Sequence, residues 1–417
     1  FLKTLESLGL KSAHEEDAKR ENANVDGDTA MGTMLQYGST VSKEFAKSYL
    51  MKKKFADAHD NGDIHIHDMD FLAMGTTTCT QIDLNKLFKN GFSTGHGYLR
   101  EPQDIMSYSA LAAIAIQSNQ NDQHGGQSIP AFDYYLAPGV LKTFKKQYKI
   151  AIAELLDFTG FDTFINSNKV NEKIDKLASI KFDLSYMDDC AKDSDEVKNI
   201  FAKAYEIAMK KTNKRTYQAT EAIVDNLNTM HSRAGAQVPF SSINFGTDTS
   251  PEGRMVMKNY LLSVNAGLGK SETPIFPISI FKVKEGVNYN KEDPNYDLFR
   301  LSCEVSAKRL FPNFSFMDSP FNKQYYKGDY NTEVAYMGCR TRVMGNVVDE
   351  NKAVTPGRGN LSFTSINLPR IGIKHGIVLG NEKADIKGFF KELEETIEMV
   401  KDQLLERFEI QCNKRLY

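Results

Sequence analysis

The sequence PFSSINFG at residues 239–246 predicts a β-strand, and the chain after it alternates between helix and strand. A helix is predicted to begin at Thr249-Ser250-Pro251 and to end near Gly267. A second strand is predicted from Ile275 to Val283, followed by a helix from Pro294 to Leu310. Strands that alternate with helices form βα units, so the stretch predicts an α/β fold with a mainly parallel sheet or barrel.

Composition and charge exclude several classes of protein. The 417 residues include 52 Lys plus Arg and 54 Asp plus Glu, for a net charge of -2. This balance gives no long-range field that would attract nucleic acid or an acidic membrane surface. No apolar run reaches the roughly 18 residues that a membrane span needs. We therefore expect a soluble, cytoplasmic protein with neither a nucleic-acid nor a membrane partner, built around one large core.

The cysteines predict chemistry at one position rather than a disulfide framework. Their number is odd, their spacing is wide and no CxxC occurs, which also argues against a zinc knuckle; they are Cys79, Cys190, Cys303, Cys339 and Cys412. Cys339 lies in a predicted turn beside Arg340, and a neighbouring cation can lower a thiol pKa or bind phosphate. Local sequence alone leaves a reactive thiol and a buried structural thiol equally open for Cys339, and it favours a core position for Cys79.

The motif His65-Ile66-His67 suggests a metal site, but the rest of the chain gives it little support. Histidines at positions i and i+2 of a strand point the same way and can bind zinc. The other histidines form no second HxH or ExxH motif. We therefore predict no metal site, and we interpret His65 and His67, next to Asp68, as proton-handling or hydrogen-bonding groups.

Helical periodicity predicts several further helices. Helices are predicted at 42–59, 103–117, 140–158 and 194–233, and an amphipathic segment covers 386–416. The long segment 194–233 suits a dimer interface.

Gly125-Gly126 and Gly357-Arg358-Gly359 match no phosphate-binding motif, so we expect them to permit close approach of backbone. The chain begins at Phe1 and stops inside a charged segment, and we expect it to be part of a longer protein.

Eight short segments, taken together, carry a likeness to a known family. In chain order they are His65–Asp70, Cys79–Leu84, Gly91-Phe92, Gly125–Ser128, Thr273–Pro277, Asp293–Asp297, Met337–Arg340 and Gly357–Pro369. In their residues and their order they resemble the catalytic core of anaerobic (class III) ribonucleotide reductases. The likeness extends over nearly the whole chain from Glu21 onward, and many matches in one order are more specific than any single match.

The resemblance implies a fold and a set of site residues. The fold would be a ten-stranded α/β barrel of the ribonucleotide reductase and pyruvate formate-lyase type, with an internal finger loop. Cys339 on that loop would become a thiyl radical, and Cys79 would give hydrogen to C2′ from the opposite face of the ribose. Asn360, 21 residues after Cys339, matches the asparagine of formate-dependent members. His65 and His67 would lie near the barrel mouth, in a substrate-binding or proton-handling role.

The resemblance also implies an activity and its partners. The reaction would be oxygen-independent reduction of ribonucleoside triphosphates, with formate as reductant, in a homodimer regulated by dNTP or ATP effectors with Mg²⁺. A radical-SAM iron–sulfur enzyme would activate it. Residues 1–417 would form one catalytic barrel domain that holds no cofactor, because the family's glycyl radical, structural zinc and ATP-cone belong to segments that this sequence lacks.

Three alternatives remain open on the sequence. The first is another glycyl-radical enzyme, a lyase or dehydratase. The second is a metal-dependent hydrolase that uses His65 and His67. The third is a nucleotide-sensing scaffold without catalytic activity.

Overall fold

The structure is a computed structural model that describes residues 29–161, 165–192, 194–233, 237–338, 341–380 and 382–413. The helices are α1 (Ala30–Phe45), α2 (Lys53–Asp60), α3 (Leu84–Asn90), α4 (Ile105–Asp122), α5 (Phe132–Thr159), α6 (Ser167–Asp175), α7 (Asp195–Thr229), α8 (Pro251–Ala266), α9 (Tyr296–Arg309), α10 (Pro320–Lys323), α11 (Leu368–His375) and α12 (Ile386–Asn413). Across these ranges, no helix combines the length and apolar character needed to cross a bilayer.

The strands are short, and half of the twelve described strands belong to one sheet. They are β1 (Ile64–Ile66), β2 (Thr78–Gln81), β3 (Phe92–Ser93), β4 (Tyr98–Leu99), β5 (His124–Ile129), β6 (Ser241–Phe245), β7 (Ile278–Val283), β8 (Asn313–Phe316), β9 (Ala335–Met337), β10 (Thr341–Val343), β11 (Gly359–Asn360) and β12 (Thr364–Ile366). The main sheet has the order β11-β2-β5-β6-β7-β8. The pairs β1–β12, β3–β4 and β9–β10 are separate and antiparallel.

The main sheet confirms the α/β prediction made from residues 239–310. Its strands β2, β5, β6, β7 and β8 run parallel to one another, and β11 pairs with β2 in the antiparallel direction. Every residue of β6 and β7 is buried, as expected for parallel strands covered on both faces. Closure of this sheet into a ten-stranded barrel, and the assignment of residues 1–417 to one domain, stay predictions.

Two of the helices that cover the sheet, α7 and α8, begin where the sequence predicts, whereas α5 begins at Phe132 and not at the predicted Val140. The side chain of Ser250 caps α8, accepting a hydrogen bond from the Gly253 amide at 3.0 Å, and Pro251 follows at the first helical position. Ser194 caps α7 in the same way, and α7 continues unbroken to Thr229. Together with α4, α5 and the sheet, these helices form the main hydrophobic core.

The predicted helix over residues 42–59 is wrong in two respects, because helix already begins at Ala30 and because it is interrupted. After α1 ends, a π-helical turn runs from Ala46 to Leu50, and Met51 is extended before α2 begins. The Met51 side chain is buried in a second hydrophobic cluster with Phe55 and with Val400 of α12. The interruption of the helix at Met51 depends on packing against a helix more than 300 residues later in the chain, so local periodicity could not predict it.

A buried ionic cluster lies beneath the segment that leads into β9. Glu333 accepts hydrogen bonds from the Lys282 ammonium at 3.3 Å, the Lys284 ammonium at 3.0 Å and the Thr247 hydroxyl at 3.0 Å. Both Lys282 and Glu333 are buried. Burial alone would raise the pKa of Glu333, but the two lysines and the hydrogen bonds outweigh it, so the pKa lies below its ordinary value.

We expect Glu333→Ala to lower the free energy of unfolding by about 3–5 kcal/mol, because it leaves the buried Lys282 ammonium and the partly buried Lys284 ammonium without their anion. Urea unfolding followed by circular dichroism measures the loss. The carboxylate stabilises the fold fully above its unfolded pKa and loses that effect as pH falls through the lower folded pKa, so the difference should shrink in acid. The control Glu304→Ala, in an exposed pair with Arg300, should change the free energy by no more than about 0.5 kcal/mol. Equal effects of the two substitutions would contradict this account.

Candidate active site

Cys79 lies at an irregularity in the centre of the main sheet. Thr78 pairs with His124 and Thr80 pairs with Gln127, so β5 has one more residue than β2 between these pairs. Cys79 takes a left-handed conformation there, with φ of 44°, and its side chain is 8% exposed. Its sulfur accepts a hydrogen bond from the Gly126 amide at 3.1 Å. The local backbone therefore holds a buried thiol in a fixed position.

Gly125 and Gly126 each lie so close to a neighbouring segment that a side chain would collide with it. A Cβ atom on Gly125 would lie 2.3 Å from the Thr78 hydroxyl and 3.0 Å from the Cys79 sulfur. A Cβ atom on Gly126 would lie 2.9 Å from both the nitrogen and the Cα of Gly338. The prediction that this glycine pair permits close backbone approach is confirmed, and the approach joins Cys79 to the segment containing Gly338.

The predicted finger loop corresponds to the hairpin of β9 and β10. Met337 pairs with Thr341, and Gly338 is buried against Gly126 and the Phe240 ring. Cys339 and Arg340 lie outside the described residues, so the position of the Cys339 sulfur is not part of the description. The residue before Cys339 nevertheless contacts the glycine whose amide binds the Cys79 sulfur.

Two polar side chains that the sequence analysis did not select hold this hairpin against the sheet. Asn244 of β6 and Ser128 of β5 both hydrogen-bond to the backbone of Tyr336 in β9. Both side chains are buried. In the sequence, each appears as a polar residue inside a strand of apolar or small residues. That pattern does not distinguish a functional residue from a buried polar residue whose hydrogen bonds are all formed.

Asn360 lies on the strand that pairs with the strand of Cys79. Its strand β11 pairs with β2, with Asn360 opposite Thr78 and Gly359 opposite Thr80. A Cβ atom on Gly359 would lie 2.7 Å from the Cys79 carbonyl oxygen, so this approach also depends on glycine. Asn360 is half-buried. The role of its amide stays a prediction.

His65 on β1 and His67, which directly follows β1, lie at a separate cavity away from the main sheet. The cavity has a volume of about 770 Å³ and its lining includes both histidines, Asp68 and Arg233, whereas Cys79 and Asn360 are not among the described residues that line it. The rings of His65 and His67 are 4.5 Å apart, and His67 shares a hydrogen bond of 2.7 Å with the Ser365 hydroxyl. Burial and the neighbouring His65 lower the pKa of His67, which favours its neutral form.

His124 connects the cavity wall with the strand that faces Cys79. Its ring hydrogen-bonds to the Thr76 hydroxyl, and its other nitrogen lies 3.8 Å from an Asp68 carboxylate oxygen. Burial, with the guanidinium groups of Arg407 and Arg233, lowers the pKa of His124 to about 3. The imidazole is therefore neutral at physiological pH, and sequence reasoning missed it because a lone histidine before two glycines carries no motif.

The structure brings some predicted residues together and separates others. Cys79, Asn360 and Gly338 meet at the β2 irregularity. His65 and His67 form a second group at the cavity. Among the described residues, no group of three or more His, Cys, Asp or Glu side chains is arranged to hold a metal ion.

We expect Gly126→Ala to destabilise the protein by about 1–3 kcal/mol, because its methyl group would overlap the Gly338 backbone and neither strand can move freely. Urea unfolding gives the difference, and limited proteolysis between β9 and β10 reports displacement of the hairpin. Gly372→Ala is the matched control, because Gly372 lies on α11 with open space around its Cα. That change should be neutral or stabilising by up to about 1 kcal/mol. A Gly126 variant as stable as the control would show that the contact is unimportant.

Comparison with known families gives a consistent result over almost the whole chain. A family model described as anaerobic ribonucleoside-triphosphate reductase matches residues 21–416. The anaerobic ribonucleoside-triphosphate reductase of Escherichia coli K12 is 28% identical over 405 residues, covering 96% of this chain and 48% of the relative. The enzyme of the same name from Enterobacteria phage T4 is 31% identical over 371 residues, covering 88% and 52%. The chain thus spans about half the length of these relatives.

Solved structures agree with this comparison at the level of fold. The anaerobic ribonucleotide reductase from Thermotoga maritima in complex with dATP and CTP matches 92% of this chain and 53% of its own, with a TM-score of 0.54 at 13% identity. The same enzyme with glycerol in the active site matches 98% and 57%, with a TM-score of 0.56 at 13% identity. At this identity the likeness establishes the fold alone, and it confirms the predicted α/β fold of the ribonucleotide reductase type.

Proposed function

This chain belongs to the anaerobic ribonucleoside-triphosphate reductase family, and on that premise we propose that it forms the core of an enzyme that reduces ribonucleoside triphosphates without oxygen. One observation carries the proposal. The residue before Cys339 lies against Gly126, and the Gly126 amide binds the Cys79 sulfur. Two thiols on separate chain segments, approaching from opposite sides, are what deoxygenation of a ribose needs.

Cys339 is the residue that acts first in this proposal. Its thiyl radical takes the hydrogen atom from C3′ of the ribose, forming the Cys339 S–H bond and a C3′ radical. An S–H bond is close in strength to the ribose C3′–H bond, so the exchange is reversible. The C2′ hydroxyl then leaves as water after gaining one proton.

Cys79 supplies hydrogen to C2′ after water has left. Burial and the hydrogen bond from the Gly126 amide keep the thiol at one position, packed with Met337 and Val343 of the finger hairpin. We propose that Asn360, across the strand pair from Thr78, binds a ribose hydroxyl or a formate oxygen. An uncharged amide can donate to formate without repelling the anion.

Formate completes the balance of electrons. Transfer of hydrogen to C2′ leaves Cys79 as a thiyl radical, and formate gives its hydrogen atom to that radical, which restores the Cys79 thiol. The remaining electron of formate passes to the oxidised C3′ as CO₂ leaves. The C3′ oxygen, whose proton left with the water, takes up a proton, and Cys339 then returns its hydrogen atom to C3′. The sum is ribonucleoside triphosphate, formate and one proton converted to deoxyribonucleoside triphosphate, CO₂ and water. A glycyl radical, carried by a segment outside this chain and formed by a radical-SAM iron–sulfur enzyme, would supply the unpaired electron to Cys339.

Nucleotide regulation and assembly are part of the same proposal. The Thermotoga maritima reductase was solved with dATP and CTP, which supports a triphosphate substrate and a nucleotide effector here. We propose that the effector binds with Mg²⁺. The long helix α7 and its neighbour α5 are the elements that we propose for the interface of a homodimer. The reaction is proposed to take place in the cytoplasm.

Family membership also ranks the alternatives. It favours a reductase over a glycyl-radical lyase, a metal-dependent hydrolase or a nucleotide-sensing scaffold. A lyase has no reason to respond to deoxynucleotides, so titration with dNTPs separates it from the reductase.

The deciding experiment uses the full-length protein that contains this chain, activated without oxygen and given CTP with ¹⁴C-formate. We expect dCTP and ¹⁴CO₂ in equal amounts, and neither product from protein that was not activated. Loss of formate without dCTP would refute the reductase. Formation of dCTP without ¹⁴CO₂ would retain the reductase and refute formate as its reductant.

A further inference from the structure

We propose that Asn244, assisted by Ser128, is a positioning residue that sets how far the finger hairpin reaches and thereby where Cys339 meets the substrate. This inference rests on the proposed function and deepens it. The two side chains act through Tyr336, which lies three positions before Cys339 in the sequence.

The pairing of the hairpin leaves the Tyr336 backbone directed toward the sheet. Tyr336 lies opposite Arg342 in the antiparallel pair of β9 and β10. In such a pair, residues alternate between those that exchange hydrogen bonds with the partner strand and those whose amide and carbonyl face away. The amide and carbonyl of Tyr336 form their hydrogen bonds with β5 and β6 side chains.

Asn244 binds both backbone groups of Tyr336, as a neighbouring strand would. The Tyr336 amide donates to the Asn244 side-chain oxygen at 2.8 Å, and the Asn244 side-chain nitrogen donates to the Tyr336 carbonyl at 2.9 Å. The Ser128 hydroxyl donates to the same carbonyl at 2.7 Å. The Asn244 nitrogen also lies 3.2 Å from the Ile129 carbonyl, which fixes the orientation of the amide.

Because Asn244 and Ser128 are buried, their hydrogen bonds favour one register of the hairpin over any other. Asn244 and Ser128 are 0% exposed, so water cannot replace a hydrogen bond that the hairpin loses by moving. A slip of one residue along β9 would shift the hairpin by roughly 3.3 Å and leave these buried groups unpaired. A displacement of about 1 Å at reacting atoms is enough to slow a reaction about 100-fold. The bonds to Tyr336 therefore fix the register on which the position of Cys339 depends.

Asn244→Asp tests the proposal with almost no change in shape. The carboxylate can still accept from the Tyr336 amide, but its second oxygen would face the carbonyl oxygens of Tyr336 and Ile129. In the full-length activated enzyme, we expect kcat per glycyl radical, counted by electron paramagnetic resonance, to fall about 10- to 100-fold, with KM changed by less than about twofold. A kcat per radical within twofold of the parent would overturn the positioning role.

Asn259→Asp is the matched control, because Asn259 is also buried and its side-chain nitrogen also donates to a backbone carbonyl, that of Met255 on α8. This change should reduce the yield of folded protein and leave kcat per radical unchanged. Ser128→Ala, which removes one donor to Tyr336, should give a fall in kcat per radical smaller than that of Asn244→Asp.

A measurement without turnover separates failure of this inference from failure of the proposed function. In Asn244→Ala, hydrogen exchange at the Tyr336 amide should accelerate at least about tenfold, because the amide loses its acceptor. Unchanged exchange would refute the contact, whatever the activity. If the parent makes no deoxynucleotide, the proposed function fails, and the exchange rate still decides whether Asn244 holds the hairpin.

Discussion

Cys339→Ala is expected to abolish formation of deoxynucleotide in the full-length activated enzyme. Alanine has no S–H bond, so no thiyl radical can form and the C3′ hydrogen stays in place. Release of tritium from CTP labelled at C3′ measures that step directly and should fall to the level of protein that was not activated. Glycyl-radical content, thermal unfolding and nucleotide binding should match the parent, because the change is confined to one side chain.

Cys303→Ala is the control for this prediction. Cys303 is exposed on α9 and has no place in the proposed reaction, so its replacement should leave tritium release and product formation unchanged. Retained activity in Cys339→Ala, at normal radical content, would refute the thiyl assignment.

Cys79→Ser is expected to stop deoxynucleotide formation while sparing the first step. Serine keeps a group that can accept from the Gly126 amide, but an O–H bond is too strong to give its hydrogen atom to C2′. The C3′ radical should still form, so tritium release should persist while the intermediate decays and releases free base. The ratio of free base to dCTP, measured by chromatography, should rise from near zero to a large excess.

Cys190→Ser controls for placing a hydroxyl at a buried cysteine. Cys190 is buried at 5% exposure, in the short helical segment Leu184–Cys190, and should affect stability alone. If Cys79→Ser lost tritium release together with product, Cys79 would be needed before C3′ activation and its proposed role would be wrong.

The main sheet could be predicted because its strands carry their signal locally. The stretch 239–246 became β6 and the stretch 275–283 became β7, each bounded by the expected helix signals. The break at Met51 could not be predicted, because it depends on packing against α12. The segment Gly357–Pro369 also divides between two sheets, since its β11 joins the main sheet whereas its β12 pairs with β1, and the sequence did not predict either pairing.

The candidate site, like the fold, could be predicted from the sequence only in part. Cys79 has little local context, and its importance came from the family resemblance and then from its contact with Gly126. The sequence could not identify Asn244 as a functional residue, because its hydrogen-bond partner is a backbone group 92 positions away. His65 and His67 were recognised as a pair, but their cavity is formed with residues such as Arg233 that no spacing rule connects to them.

In the proposed reductase, the glycines next to Cys79 would restrict how a new substrate range is acquired. The Gly126 amide binds the Cys79 sulfur, Gly338 lies against Gly126, and a Cβ atom on Gly359 would lie 2.7 Å from the Cys79 carbonyl oxygen. A library that diversifies side chains has nothing to vary at these three glycines, since an added carbon would collide with peptide groups or with the Phe240 ring. Altered preference for the base or the sugar must therefore evolve through more distant positions, while the chemistry at the centre stays the same.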